Sequence, residues 1–203
     1  MRSAKVLSSS TLASKDFARR VAEEPGALPT LVAALAVGCS AAATPSLQAA
    51  ACDSACVLAS ITCASPDHVR RVVDEPGEVS ALVAALAAGT AAAAPIRLQA
   101  AAGFSATVLM CVALAGPDLG RRLAEEQGAL PALVPAVAAG GGAAEHSLQS
   151  AAQSSAAVLD DITKAGPDIA RRVAEEPRAL QALVAILAAG STAAATPSLQ
   201  KAA

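Results

Sequence analysis

The chain has 203 residues, a formal net charge of −2 and 54% hydrophobic residues, and its only aromatic residues are Phe17 and Phe104. Without Trp or Tyr it lacks the side chains that usually stack on cofactors and nucleobases. The slightly acidic balance also argues against nucleic acid as a partner, since phosphate binding requires a basic surface.

A pair of adjacent arginines recurs along the chain and reveals an internal repeat. The pairs are Arg19-Arg20, Arg70-Arg71, Arg121-Arg122 and Arg171-Arg172, at intervals of 51, 51 and 50 residues. A fixed long period is typical of repeat proteins. Their units stack to bury a face that none buries alone, and their common product is a binding surface.

The repeat register also predicts the domain organisation. The basic, Ser-rich start resembles a transit peptide, but residues 3–7 match residues 54–58 and therefore read as the end of a repeat. The chain also stops within a repeat. We therefore expect one domain over residues 1–203, which is either a fragment of a longer solenoid or the product of a truncated gene model. Its expected parts are a partial repeat (1–15), three repeats (16–66, 67–117 and 118–167) and a partial repeat (168–203).

Each repeat begins with a short polar helix, as in residues 66–75. Pro66 suits the first helical position, and Asp67 suits the positive end of the helix dipole. We expect this helix to end at a corner made by a glycine such as Gly77, because glycine tolerates positive φ. The last repeat has Arg178 at this position, which predicts either strain or a different corner.

A second helix and a third, longer helix complete each repeat. In the second helix of the first complete repeat, Leu28, Leu31, Val32 and Leu35 share one side. Small residues then form a loop, and the third helix follows. The apolar stripe of that helix consists of Leu47, Ala51, Ala55, Leu58 and Ile61. This spacing predicts a helix that is buried along one side.

A charge-free run from Leu98 to Pro117 covers 20 residues, which is long enough to span a bilayer. Much of it is alanine, which contributes little to insertion, and Gly, Pro, Ser or Thr interrupts such runs at the same point of each repeat. The repeat register therefore favours buried helices over membrane spans.

The repeat closely resembles that of the armadillo repeat family. In order, it contains a short helix, a glycine corner, a Gly-Ala-Leu-Pro-x-Leu-Val segment and a Leu-Gln-x-Ala-Ala helix. Residues 24–35 and 126–137 carry the best matches. The resemblance implies an all-α, right-handed solenoid of three-helix repeats, each about 51 residues long instead of the usual roughly 40 to 47. Related HEAT repeats share the apolar pattern and are the alternative.

One departure from the family concerns its peptide-binding groove. Members that bind extended peptides, such as the importin-α adaptors, resemble each other in placing Trp and Asn one turn apart on successive third helices. The matching positions here are Lys5 and Ser9, Cys56 and Ser60, Thr107 and Cys111, and Ala157 and Asp161. None is Trp or Asn, so we expect a general partner groove and not the binding mode of a nuclear-import receptor.

The arginine pairs allow two interpretations. They could form an anion-binding ladder along one edge of the stack. The favoured interpretation is a solvated helix face, because an acid follows four residues after the first arginine each time, as in Arg19 with Glu23 and Arg121 with Glu125. Such i,i+4 pairs stabilise a helix by about 0.2–0.5 kcal/mol each.

The five cysteines are Cys39, Cys52, Cys56, Cys63 and Cys111. Their odd number, without a C-x-x-C motif or a preceding secretory signal, predicts free and mostly buried thiols in a cytoplasmic protein, with the nucleus as an alternative location. A thiolate metal site from Cys52, Cys56 and Cys63 near His68 is conceivable. Three cysteines on one straight helix cannot all converge on a metal, so no metal site is predicted.

Catalysis is not expected either. His68, expected on a short exposed helix, and His146, expected in a loop, have no nucleophile motif beside them. The sequence contains no phosphate-binding loop, nucleophile elbow or H-E-x-x-H zinc motif. We therefore predict a chain that is not an enzyme and needs no cofactor.

These observations predict a protein-interaction scaffold that binds a protein or peptide along the concave face formed by the third helices. The expected groove residues are Gln48, Asp53, Cys56, Ser60, Phe104, Thr107, Cys111, Ser154, Ala157, Asp160 and Asp161. The acidic end at Asp160 and Asp161 would favour a basic partner segment. Two alternatives stay open: a substrate-recruiting segment of a larger enzyme such as an armadillo-containing ubiquitin ligase, and a membrane-associated armadillo protein of the vacuolar type.

The ends of the chain carry a separate expectation. Val6, Leu7 and Leu199 are core positions of incomplete repeats. Terminal repeats normally present polar outer faces, so we expect the isolated chain to self-associate or fray through its uncapped ends.

Overall fold

The computed structural model describes residues 14–140, 145–182 and 184, and within them every regular element is a helix. The helices are α1 (Lys15–Glu23), α2 (Ala27–Gly38), α3 (Pro45–Ala64), α4 (Pro66–Val73), α5 (Glu78–Thr90), α6 (Ile96–Leu114), α7 (Pro117–Glu125), α8 (Ala129–Gly140), α9 (His146–Thr163) and α10 (Pro167–Glu175), and residues 179–182 are also helical. The all-α prediction is thus confirmed. The expectations for Lys5, Val6, Leu7, Ser9 and Leu199 lie outside the described residues.

The short helices α1, α4, α7 and α10 begin and end at the predicted signals. Ser14 and Ser65 cap α1 and α4, because their hydroxyl oxygens accept hydrogen bonds from the backbone N–H groups of Phe17 and Asp67. Proline occupies the first position of α4, α7 and α10. A residue at positive φ follows each short helix, and in the last copy it is Arg178, at φ +70°. The strain predicted at this corner is therefore present.

The second and third helices supply most of the core. The largest buried aliphatic side chains on these helices are Leu35, Leu58, Ile61, Leu82, Leu86, Leu109, Leu133 and Ile162. The long helices α3, α6 and α9 contact one another in that order, as do the second helices α2, α5 and α8. Each second helix also packs on the third helix that follows it, while the short helices contact the third helices. The core thus lies between a row of second helices and a row of third helices.

One core residue predicted from the sequence is more exposed than expected. Leu47, in the first turn of α3, is 39% exposed, whereas Leu98 at the same register in α6 is 7% exposed. The difference follows from neighbours, because α6 lies between α3 and α9, while no third helix precedes α3 within the described residues. The rest of the predicted stripe in α3 is buried.

On length and composition alone, α3 and α6 could each cross a membrane, with mean hydropathies of 1.4 and 1.5 in their most apolar segments. In both helices 56% of that segment is buried within the chain. Core helices of soluble proteins have the same properties, so these two helices carry little weight as evidence for a membrane span.

Candidate functional site

A line of partly or fully exposed residues lies along each of α6 and α9, and a shorter one lies on α3, where the buried residues 54–59 separate Asp53 from Ser60. We call these three lines together the third-helix stripe. Its members are Asp53, Ser60 and Cys63 on α3, Ala100, Phe104, Thr107, Cys111 and Leu114 on α6, Ser150, Gln153, Ala157, Asp160 and Asp161 on α9, and Lys164 directly after α9. Because α3, α6 and α9 contact one another in order, the three lines belong to adjacent helices.

Eight of the eleven predicted groove residues belong to this stripe, and Gln48, Cys56 and Ser154 do not. Cys56 and Ser154 are only 5% and 6% exposed, so their side chains are not accessible to a partner in this structure. The larger Phe104, at the register of Ser154, is only partly buried. Gln48 lies at the start of α3, where its amide donates to the Ala43 carbonyl.

The hydroxyl groups of the stripe are already used as donors within their own helices. Ser60 Oγ donates to the Cys56 carbonyl oxygen at 2.9 Å, and Thr107 Oγ1 donates to the Gly103 carbonyl oxygen at 3.0 Å. These hydroxyls remain available to a ligand as acceptors. Phe104, by contrast, packs against the core while part of its ring stays accessible. The centre of the stripe is therefore mainly small and apolar.

The acidic end of the stripe is less acidic than expected. Lys164 Nζ lies 2.7 Å from Asp160 Oδ2 and 3.0 Å from Asp161 Oδ1. The hydrogen bonds that Lys164 donates, first of all the one to Asp160, raise the pKa of Lys164. One cation thus serves both carboxylates and leaves one net negative charge, which weakens the expectation of a basic partner segment.

The arginine pair of α7 forms different ion pairs from those expected. Arg121 Nη1 lies 3.2 Å from Asp168 Oδ2 of α10, and Arg122 Nη1 lies 3.2 Å from Asp74 Oδ1, directly after α4. Each guanidinium also donates to a backbone carbonyl, that of Ala165 or of Val73. Both side chains reach neighbouring repeats, so the i,i+4 pair of Arg121 with Glu125 is not formed. Neither interpretation of the arginine pairs anticipated this connection.

The cysteines are all free, as expected, but only Cys52 and Cys56 are buried. Burial raises the pKa of the Cys56 and Cys39 thiols to about 11. Cys63 is exposed, and its Sγ lies 3.6 Å from Cys111 Sγ on the neighbouring long helix. Repeat register alone does not predict this contact, because Cys111 matches Ser60, one turn before Cys63.

The described part of the chain holds no group of three or more His, Cys, Asp or Glu side chains arranged to bind a metal ion. Cys52 and Cys56 lie inside the chain, whereas Cys63 faces outwards. His68, predicted to lie on an exposed helix, is buried instead, and its Nδ1 has no hydrogen-bond partner. The side of α4 that carries Val69 and Val72 packs inwards, and His68 is buried with it.

Glu78 is a second buried polar group that the sequence analysis did not single out. It occupies the first position of α5, where the other repeats have Ala27, Ala129 and Ala179. The side chain is fully buried, and neither carboxylate oxygen has a hydrogen-bond partner. Burial, and then the nearby charge of Glu75, raises the pKa of Glu78 to about 8. The departure from alanine was the only signal in the sequence.

Comparison with known proteins adds no assignment to this geometry. No protein-family model, curated protein or solved structure matches the chain.

Proposed function

We propose that this chain is an armadillo-like α-solenoid and a non-catalytic scaffold that binds a protein or peptide along the third-helix stripe. One observation carries the proposal: three long helices contact one another in order, α6 and α9 each leave a line of residues accessible, and α3 leaves Asp53, Ser60 and Cys63 accessible. Stacked repeat proteins use continuous faces of this kind as binding surfaces.

The chemistry of the stripe suggests the kind of segment that it would bind. Phe104 is partly buried and Leu114 is 63% exposed, while Ala100 and Ala157 leave room between the larger side chains. Accessible aromatic and aliphatic groups of this kind are the usual anchors of an interface. We infer an extended partner segment with apolar side chains that fit between these residues, with hydrogen-bond donors directed at the Ser60 and Thr107 hydroxyls.

The proposal is tested by selecting peptides from a random library on the purified chain and measuring their affinity for two variants. Thr107→Arg places a long charged side chain at the centre of the stripe. Ala84→Arg places the same side chain at an exposed position of α5, away from the third helices. We expect Thr107→Arg to weaken binding at least about tenfold, which corresponds to about 1.4 kcal/mol, and Ala84→Arg to leave it unchanged.

Two outcomes would contradict the proposal. One is that no selected peptide binds the chain more tightly than it binds an unrelated helical protein. The other is that both arginine variants weaken binding equally, which would place the peptide elsewhere. Helical circular dichroism of each variant checks that a loss of binding is not a loss of folding.

A further inference from the structure

Two thiols from different repeats meet at one end of the third-helix stripe. Cys63 lies in the last turn of α3 and Cys111 in the last turn of α6, and 3.6 Å separates their sulfur atoms. Cys63 is exposed and Cys111 is half-buried. The described residues contain no other cysteine–cysteine contact this short, so this pair is chemically distinct from Cys39, Cys52 and Cys56.

The two sulfur atoms of this pair are not equivalent. Either thiol can donate the hydrogen bond between them; donation by the more buried Cys111 lowers the pKa of Cys63 below its ordinary value of 9.0. The same interaction, together with burial, raises the pKa of Cys111. The lowered pKa favours the thiolate of Cys63, which is the nucleophilic form of cysteine.

We propose that Cys63 and Cys111 form a peroxide-reactive dithiol that oxidises reversibly to a disulfide between α3 and α6. Peroxide-sensing cysteines combine thiolate character, solvent access and an adjacent resolving cysteine. Cys63 has the access, and Cys111 is within reach as the resolving thiol.

The reaction proceeds in two balanced steps. The Cys63 thiolate attacks one oxygen of hydrogen peroxide, so that an S–O bond forms, the O–O bond breaks and hydroxide leaves. Cys63 is then a sulfenic acid. Cys111 attacks the Cys63 sulfur, the S–S bond forms, and the S–O bond breaks to release water with the proton of Cys111. Overall the dithiol loses two electrons to the peroxide, and an external dithiol reductant reverses the change.

The geometry requires only a small movement. A disulfide has an S–S distance of about 2.05 Å, so the sulfur atoms must approach by about 1.5 Å from 3.6 Å. Rotation of the Cys63 side chain provides part of this movement, because that side chain is exposed. The bond would join two long helices at positions 48 residues apart in the sequence.

The experiment treats the reduced full chain with a small excess of hydrogen peroxide and follows it by intact mass and thiol alkylation. We expect the loss of two hydrogen atoms and a fall from five alkylated thiols to three, both reversed by dithiothreitol. Cys63→Ser and Cys111→Ser should each abolish this change, while the matched control Cys52→Ser should retain it. In Cys111→Ser, dimedone should trap the sulfenic acid of Cys63.

Several results would overturn the proposal. They are no disulfide in the wild-type chain, an undiminished disulfide in Cys63→Ser, or a stable sulfinic acid at Cys63 while Cys111 stays reduced. The pH dependence gives a second readout: the midpoint of the oxidation rate should lie below the ordinary thiol pKa of 9.0, and a midpoint at or above 9 would contradict the proposed donation from Cys111 to Cys63. Circular dichroism confirms folding of each variant.

Discussion

At the scale of single residues, Glu78 is the clearest conflict between side chain and position. The first residue of the second helix is buried against the core in this repeat, and the other repeats place alanine there. A buried carboxylate without hydrogen bonds is costly, so the neutral acid is favoured in the folded chain. Its pKa of about 8 in the folded state, against an ordinary value of 4.5, links folding to pH.

The sign of this link follows from the raised pKa. The pKa of Glu78 is higher in the folded chain than in the unfolded chain. Glu78 therefore contributes stability that is fully present below pH 4.5 and is lost as the pH rises towards 8. We expect Glu78→Gln, which cannot ionise, to gain stability over the wild type by a few kcal/mol between pH 4.5 and 8, because one pKa unit corresponds to about 1.4 kcal/mol. Urea unfolding at both pH values measures the difference.

The matched control for this prediction is Glu23→Gln, which removes an exposed carboxylate. Its stability relative to the wild type should change little over the same pH range. An equal pH dependence in the two variants would show that Glu78 ionises as freely as an exposed acid.

The sequence analysis did not predict the burial of Glu78, whereas the backbone strain at Arg178 could be predicted from the sequence. Gly26, Gly77 and Gly128 adopt φ values from +79° to +86°, and Arg178 adopts +70° at the matching corner. A side chain in this region costs on the order of 1–2 kcal/mol. Arg178 lies at the position of the corner in its repeat, and it adopts positive φ there although an arginine disfavours this conformation.

At the scale of helices, the close approach of each second helix to the following third helix depends on a glycine. Gly38, Gly89 and Gly140 lie near the end of α2, α5 and α8. An added Cβ at Gly89 would overlap the Leu98 carbonyl oxygen and lie 2.5 Å from Ala102 Cβ. The same clash with the third helix occurs at the other two positions. Each of the three glycines is 51 residues from the next, so they indicate the repeat period as clearly as the arginine pairs do.

We therefore expect Gly89→Ala to destabilise the fold by about 1–3 kcal/mol or more, as overpacking of a well-filled interior does. Gly120→Ala in α7 is the matched control, since its nearest contact would be 3.9 Å away. There the better helix propensity of alanine should stabilise the chain by about 0.5–1 kcal/mol. Urea unfolding of both variants compares the effects, and a neutral Gly89→Ala would argue against the close approach of α5 and α6.

At the scale of the whole molecule, arginines connect short helices that are far apart in the sequence. Arg122 bonds to Asp74 and to the Val73 carbonyl at the end of α4, and Arg121 bonds to Asp168 and to the Ala165 carbonyl beside α10. These side chains are about half exposed, so water weakens the ion pairs. The bonds to backbone carbonyls fix the positions of the guanidinium groups and make the connection specific.

We expect the double variant Arg121→Ala/Arg122→Ala to lose about 1–2 kcal/mol of unfolding free energy, since hydrogen bonds to charged groups contribute more than neutral ones. Arg70→Ala/Arg71→Ala is the matched control, because that pair in α4 forms no ion pair with a described residue. Its loss should stay within about 0.5 kcal/mol. Chemical unfolding measures both, and equal losses would mean that the connections of α7 contribute nothing.

Much of the fold could be read from the sequence because its signals are local and occur several times. The apolar spacing of Leu28, Leu31, Val32 and Leu35 places them on one helical face regardless of partners, and all four are buried. Capping residues and glycine corners likewise act within a few residues of their own position. The exposed residues of the stripe, such as Thr107 and Ala157, follow from the same helical geometry.

What the sequence by itself determined is therefore the repeat, the helices and the buried side of each helix. Only the tertiary structure decided which side chains of different repeats meet: Cys63 with Cys111, Arg122 with Asp74, and Gly89 with the backbone of α6. Neighbouring helices are offset along their axes, so residues at equal register are not always the ones in contact. Periodicity predicts the face of a helix, whereas contacts between helices depend on how their side chains pack.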